Sequence, residues 1–314
     1  MIEPTIYGLS NKAYHFEAPY TDYLSSSQLK FYSKSPRYAR FMLDSAAAEE
    51  SDALRFGSLF HDIMAALSDG ATLSEVLDAI VVFEPPINES RGIPYTVTSG
   101  KYKDAYAQFL DAAKCSLVAT ADEKATVSLM IRSLLNDSGA TSAQVLKLLR
   151  WGKAEVSHFV EYEGCRFKYR PDLESPRKIV DWKTVATDDL SEENLNRIIL
   201  RYGYHISAAF YQFFEHERTG VWKQFIIVFV SKAAPYDCVM VDMSAYAYRY
   251  IADADYVCIG PGAIEFKKFL DLHIKCTKEN YWPGAEAFIP ADNDIRILEI
   301  QPPRYYENKF IEEF

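Results

Sequence analysis

Asp181 and Lys183 stand two residues apart in the run Ile179-Val180-Asp181-Trp182-Lys183, and Asp172 follows Pro171 just upstream, across a short polar turn. If that run is a strand, residues i and i+2 share a face, so carboxylate and ammonium project toward one point. Asp172, ending the preceding strand, can reach the same point. Two carboxylates held together at neutral pH repel, and such a pair persists most cheaply when a divalent cation neutralises it. Hard oxygen ligands suit Mg2+, with Mn2+ as a substitute. A lysine beside that ion can orient or help deprotonate a water, while the ion stabilises charge developing on a phosphoryl oxygen. Together these make a phosphodiester hydrolase. On these residues alone, a plain surface ion pair between Asp181 and Lys183 also stays open. The apolar flanks of Asp181 argue for the first reading, because burying an acidic pair without an ion is expensive.

The elements that must position these residues lie in the second half of the chain. From Ala154 the sequence alternates through Val156, His158 and Val160, turns at Glu163-Gly164, runs from Cys165 to Arg170, and after Pro171-Asp172 continues as 178–183. The spacing predicts a three-stranded meander. A helix is expected from Ser191 to about His216, strands over Trp222–Lys232 and Cys238–Met243, and a helix over Ala245–Lys278 interrupted at Gly260-Pro261-Gly262. The first half reads as helical. Ser25-Ser26-Ser27 and Ser35-Pro36 open two short helices, a longer one spans Ala53 to Leu67, and helical spacing returns at 71–80 and 101–150, with a loop from Glu84 to Gly100. Strands, a helix and then more strands predict one α/β or α+β core. We expect a helical region over 1–150 packed on a core over 151–314 with a C-terminal helix and extended tail.

Composition sets outer bounds. With 34 Lys+Arg against 44 Asp+Glu the formal charge is −10, which excludes a generally basic nucleic-acid coat. The five cysteines (Cys115, Cys165, Cys238, Cys258, Cys276) are scattered, with no pair spaced for zinc or an iron–sulfur cluster. No secretory signal is expected at the N-terminus, and the longest apolar run, Phe225–Val230, has strand length. A cytoplasmic protein with no membrane contact is therefore expected.

Arg170-Pro171-Asp172 followed by Asp181-Trp182-Lys183 resembles the PD-(D/E)xK nuclease motif. The wider pattern resembles the phage-type exonuclease VIII (RecE-like) family, related to the RecB nuclease domain and phage λ exonuclease. Ser25-Ser26-Ser27-Gln28-Leu29 with Ser35-Pro36 resembles its N-terminal helical motif, and Phe56-Gly57-Ser58-Leu59-Phe60-His61 the segment carrying its histidine. Ala154-Glu155-Val156-Ser157 is similar to its first core strand, and Tyr204 to Tyr211 to the helix after the lysine.

The resemblance implies a restriction-endonuclease-like fold, a central mixed β-sheet flanked by helices with a helical N-terminal region. His61, Asp172, Asp181 and the Trp182 carbonyl would be metal ligands and Lys183 the water-positioning base, with Glu155 and Tyr211 as further catalytic-site residues. It also implies a Mg2+-dependent exonuclease acting 5′→3′ on double-stranded DNA ends, in a bacterial or phage-infected cell. A ring-like homo-oligomer and a single-strand annealing protein as recombination partner complete the picture. A structure-specific or restriction-like endonuclease, or an inactive DNA-binding or assembly protein of the same fold, are the alternatives. One departure stands out. Relatives carry a glutamine four residues before the helix tyrosine, where this chain has Ser207.

An acidic protein can still grip DNA locally, since phosphate binding needs positive charge only where the strand runs. Candidates are Lys30, Lys34, Arg37 and Arg40, then Arg166, Lys168 and Arg170, and Arg197 with Arg201. Tyr202, Tyr204 and Ser207 lie nearest the site in sequence, the tyrosines as stacking surfaces.

Overall fold

The computed structural model describes residues 3–45, 52–113, 117–136, 139–253 and 256–288. The expected extended tail and Cys115 lie outside the described residues. After two short helical turns, Asn11–Phe16 and Ser26–Leu29, the main helices in chain order are α1 (Pro36–Asp44), α2 (Asp52–Ser68), α3 (Leu73–Ala79), α4 (Gly100–Ala113), α5 (Ala121–Asn136), α6 (Ala140–Trp151), α7 (Glu192–Tyr202), α8 (Tyr204–Thr219) and α9 (Pro261–Glu279). The main strands are β1 (Lys153–Ala154), β2 (Ser157–Tyr162), β3 (Cys165–Tyr169), β4 (Leu173–Glu174), β5 (Lys178–Val185), β6 (Gln224–Ser231), β7 (Cys238–Asp242), β8 (Tyr248–Ile251) and β9 (Tyr256–Ile259).

The fold is mixed α/β. A five-stranded sheet of order β7-β6-β5-β4-β1 has β5 and β6 parallel and its other pairs antiparallel. A parallel pair needs a crossover, and α7 with α8 supplies it. The register sets Asp181 opposite Ile227 and Lys183 opposite Phe229. Alternate residues of these strands feed two apolar layers. Ile179, Val185, Phe225, Ile227 and Phe229 pack with Ile199, Phe210, Phe214 and Phe266 from α7, α8 and α9. Val180, Trp182, Ile226, Val228 and Val230 pack with Phe60, Ile63, Met130, Leu134 and Val145 from α2, α5 and α6. Burial on both faces explains why 225–230 reads as an unbroken apolar run.

The N-terminal helix signals hold at atomic level. The Ser25 N–H donates to Gln28 Oε1 at 2.8 Å, and Ser35 Oγ accepts from the Tyr38 N–H at 3.0 Å with Pro36 beginning α1.

Four expectations about elements are corrected. The meander is divided between two sheets: β2 lies between β3 and Thr5–Ile6 and pairs with both, whereas β4 pairs with β5. Pro171 has no N–H to give a ladder, and the break it makes after β3 carries Asp172 across to the second sheet. The helix expected over 191–216 is two, because Gly203 adopts φ +64 between α7 and α8. The stretch 101–150 is three helices, with Val118–Ala119 as a strand between the first two. The N-terminal part of Ala245–Lys278 is a hairpin, Tyr248 pairing with Ile259, because its Tyr, Val and Ile content favours a pleated surface over a helix. Among the described residues no helix is long and apolar enough to cross a membrane, and Cys165, Cys238, Cys258 and Cys276 form no disulfide.

Candidate metal centre and active site

Asp172 anchors the site. Its Oδ2 accepts the Trp182 N–H at 2.6 Å, and its Oδ1 lies 3.1 Å from His61 Nδ1. Since N–H and C=O of one strand residue leave along the same edge, the Trp182 carbonyl faces the Asp172 side of β5 as well. The Trp182 ring points the other way and is fully buried under α2 and α5. On the opposite face Lys183 Nζ meets Asp181 Oδ2 at 2.7 Å, the two side chains being only 23% and 15% exposed. His61 therefore arrives from one helical layer, and Asp181 with Lys183 face the other.

Glu155 joins this group more closely than its sequence suggests. It follows β1 with φ +51, a left-handed turn that a non-glycine residue adopts seldom. Its N–H donates to the Asp172 carbonyl at 3.4 Å. One ligand atom each from His61, Glu155 and Asp172 lie within 4.8 Å of one another. Two carboxylates and an imidazole make a hard-to-borderline donor set that fits a divalent cation. The electrostatics agree. Burial pushes the Asp181 carboxyl up to about 6, with Asp172 adding to it against Lys183. Burial and Asp172 likewise push Glu155 up to about 7. Asp172 goes the other way: burial opposes its ionisation, but His61, Lys183 and the Trp182 N–H outweigh burial and hold it down near 2. For His61 burial disfavours the charged ring, and Asp172 more than restores it.

Arg170 and Tyr211 hold the frame. The Arg170 guanidinium is buried, donating to Ser157 Oγ, Asn11 Oδ1 and the Leu9 carbonyl, stacked 4.0 Å over Tyr14 and 3.7 Å from Glu155. The structure thus leaves Arg170 only 8% exposed, its guanidinium engaged in these internal contacts beside Glu155. Lys168, also buried, donates to the Tyr14 and Tyr20 carbonyls. The Tyr211 hydroxyl donates to the Arg170 carbonyl at 3.2 Å, fixing the backbone just before Pro171-Asp172. Ser207 is half-buried on α8.

Of the remaining basic candidates, Lys30 comes nearest. Its ammonium donates to the Tyr202 carbonyl, and burial together with Lys183 lowers it to about 8. Lys34, Arg37, Arg40 and Arg201 are exposed, with Arg37 and Arg40 paired to Glu286 and Asp44.

A second group of possible ligands, His158, Glu174 and Glu215, escaped the sequence reading. It is already neutralised. Lys223 Nζ sits 3.1 Å from Glu174 and 2.8 Å from Glu215, and Arg218 lies 2.8 Å from Glu215, whose other donor is the Tyr169 hydroxyl. No donor is aligned on Glu215 Oε1, so the Lys223 contact there is one of charge more than of direction. His158 bonds Glu174 at 3.1 Å. An ammonium occupies the place a metal would take. The sequence carried little signal: His158 falls in an apolar strand, but Glu174 stands in a polar turn and Glu215 opens the polar run Glu215-His216-Glu217-Arg218, and nothing local links positions so far apart.

The family comparison agrees with the fold. The family described as "PDDEXK-like domain of unknown function (DUF3799)" matches residues 25–286. A solved structure described as "Putative exonuclease" from Eubacterium rectale is 16% identical, covering 96% of this chain and 98% of its own, with a TM-score of 0.46. No curated protein matches.

Proposed function

From the premise that the chain belongs to the PDDEXK-like family, we propose that it is a metal-dependent deoxyribonuclease whose site is His61, Glu155, Asp172, Asp181 and Lys183. The convergence of His61, Glu155 and Asp172 beside the Asp181–Lys183 pair carries this reading. His61, Glu155, Asp172, Asp181 and the Trp182 carbonyl would hold the ion, Mg2+ in the cell and Mn2+ as a substitute. When bound, such an ion lowers the pKa of a coordinated water and stabilises charge building on the phosphoryl oxygens.

The residues of the chain prepare that chemistry. The Trp182 N–H fixes one oxygen of Asp172 and so leaves the other aimed at His61. Burial disfavours a charged Lys183, but Asp181 and Asp172 outweigh it and hold the ammonium protonated. Lys183, held beside Asp181, is placed to act on the attacking water as the water-positioning base that the resemblance implies. Tyr211 and Arg170 keep the turn that carries Asp172 and Glu155 in place.

The finer reading is an exonuclease of the phage type, resecting double-stranded ends 5′→3′ for recombination by strand annealing. A ring of subunits, an annealing protein as partner and a cytoplasmic setting belong to the same reading. Support comes from the ordered motifs at Ser25–Leu29, Gly57–His61, Pro171–Lys183 and Tyr204–Tyr211. The test is digestion of end-labelled linear duplex and of closed circular duplex, with Mg2+ and with chelator. Only the linear form should be degraded, only with metal, and not by Asp181→Asn or Lys183→Ala proteins that fold normally by circular dichroism. Digestion by those variants would refute the assignment, and cutting of the circle would make the enzyme an endonuclease.

A further inference from the structure

Tyr202 and Tyr204 flank the left-handed Gly203 at the α7–α8 junction, and that reversal places their rings on one another. The centroids are 5.6 Å apart and the planes 21° from parallel. Tyr204 is the inner ring, packed toward Phe229 of the core, with Lys183 Nζ 5.4 Å from its centroid. Tyr202 is the outer ring and is 53% exposed. Two cations frame it, the Arg201 guanidinium 5.7 Å from the ring centroid and the Lys30 ammonium on the Tyr202 carbonyl. A Cβ on Gly203 would come within 2.8 Å of Lys30 Cδ, so the close approach of Lys30 is built into the junction.

We propose that Tyr202 is a stacking platform for a single unpaired nucleobase of the substrate, with Lys30 and Arg201 taking the flanking phosphates. This deepens the nuclease reading and rests on it. An exposed tyrosine ladder one ring from the Lys183 ammonium has the composition of a single-strand site, aromatic faces for bases and cations for the backbone. A base inside a duplex already has both faces covered by its neighbours, and the end pair of a blunt duplex offers only one face of a base still held by its partner. An unpaired base of an overhang is free to lie flat on the outer ring, so an overhang is the form of substrate this platform serves. No base edge is read, because a π-face is common to all bases.

The experiment uses the full chain with Ca2+ in place of Mg2+ and duplex oligonucleotides carrying 5-iodouracil, either in a short single-stranded extension or at an internal paired position. Binding is followed by fluorescence anisotropy and cross-links are mapped by mass spectrometry after irradiation. The unpaired iodouracil should cross-link to Tyr202 and the paired one should not. Tyr202→Ala should weaken binding of the extended oligonucleotide about ten-fold and Tyr202→Phe should retain it, with blunt duplex changing less than about two-fold. Binding with the cross-link elsewhere or missing, or equal affinity of wild type and Tyr202→Ala for both oligonucleotides, overturns the platform and leaves the nuclease reading standing. Failure of wild type to bind any of the DNAs overturns both.

Discussion

Replacing Lys223 by methionine tests the claim that the second histidine–carboxylate group is a neutralised structural network. Lys223 is 8% exposed and its ammonium is shared by Glu174 and the wholly buried Glu215. Methionine keeps the length and apolar stem of lysine and deletes the charge. Glu215 retains Arg218 and Tyr169. Among the described residues Glu174 retains His158. Removing one partner from a buried ionic group costs roughly 3–5 kcal/mol, and for a chain of this size that is a fall in Tm on the order of 10 °C. The acid limb gives a second, signed readout. Burial opposes ionisation of Glu174, but His158 and Lys223 outweigh it and hold the carboxyl at about 2 against an ordinary 4.5. A depressed carboxyl stabilises the fold fully above about pH 4.5 and loses that contribution as pH falls toward 2, here roughly 3 kcal/mol. Urea unfolding from pH 7 to pH 3 should show this loss in the wild type and a shallower one in Lys223→Met. Adding Glu174→Gln to Lys223→Met should cost less than the sum of the separate losses. A Lys223→Met protein within about 1 kcal/mol of wild type, with an unchanged acid limb, would refute the network as a source of stability.

Affinity for Mn2+ should rise at least ten-fold between pH 5 and pH 8, since the ion must displace the protons that burial retains on Asp181 and Glu155. Without the ion the sign reverses, because the folded protein binds those protons more tightly than the unfolded chain and its stability falls as pH rises through about 4 to 7. Calorimetric titration and melting curves would show both trends, and flat profiles would exclude these carboxylates as ligands. Gly203→Ala, forced to φ +64 against Lys30, should lose about 1–2 kcal/mol and weaken DNA binding together, measured by urea melts and anisotropy. Tyr211→Phe should cost about 1 kcal/mol through the lost bond to the Arg170 carbonyl and lower the rate while leaving metal affinity within a few-fold.

The Asp181–Lys183 pair was legible because strand periodicity alone puts the two residues on one face, and because a proline before Asp172 marks a chain break. His61 was visible only through motif order, since nothing within α2 says where an imidazole points. Glu155 was visible only through the resemblance, for a geometric reason: its place beside His61 and Asp172 depends on a positive φ that glutamate rarely adopts, and side-chain alternation cannot reveal it. Arg170 read as a basic surface residue because its cage of Asn11, Leu9 and Tyr14 comes from far along the chain. The hairpin at 248–259 was mistaken for helix because short apolar-aromatic runs satisfy both periods, and pairing partners decide between them.

The imidazole and the ammonium of the site reach it from opposite sides of β5, one tied to the layer of α2, α5 and α6, the other facing that of α7 and α8. Under the proposed function, a copy that has seated only one of these layers presents half of the constellation, so cutting requires both layers in place on β5.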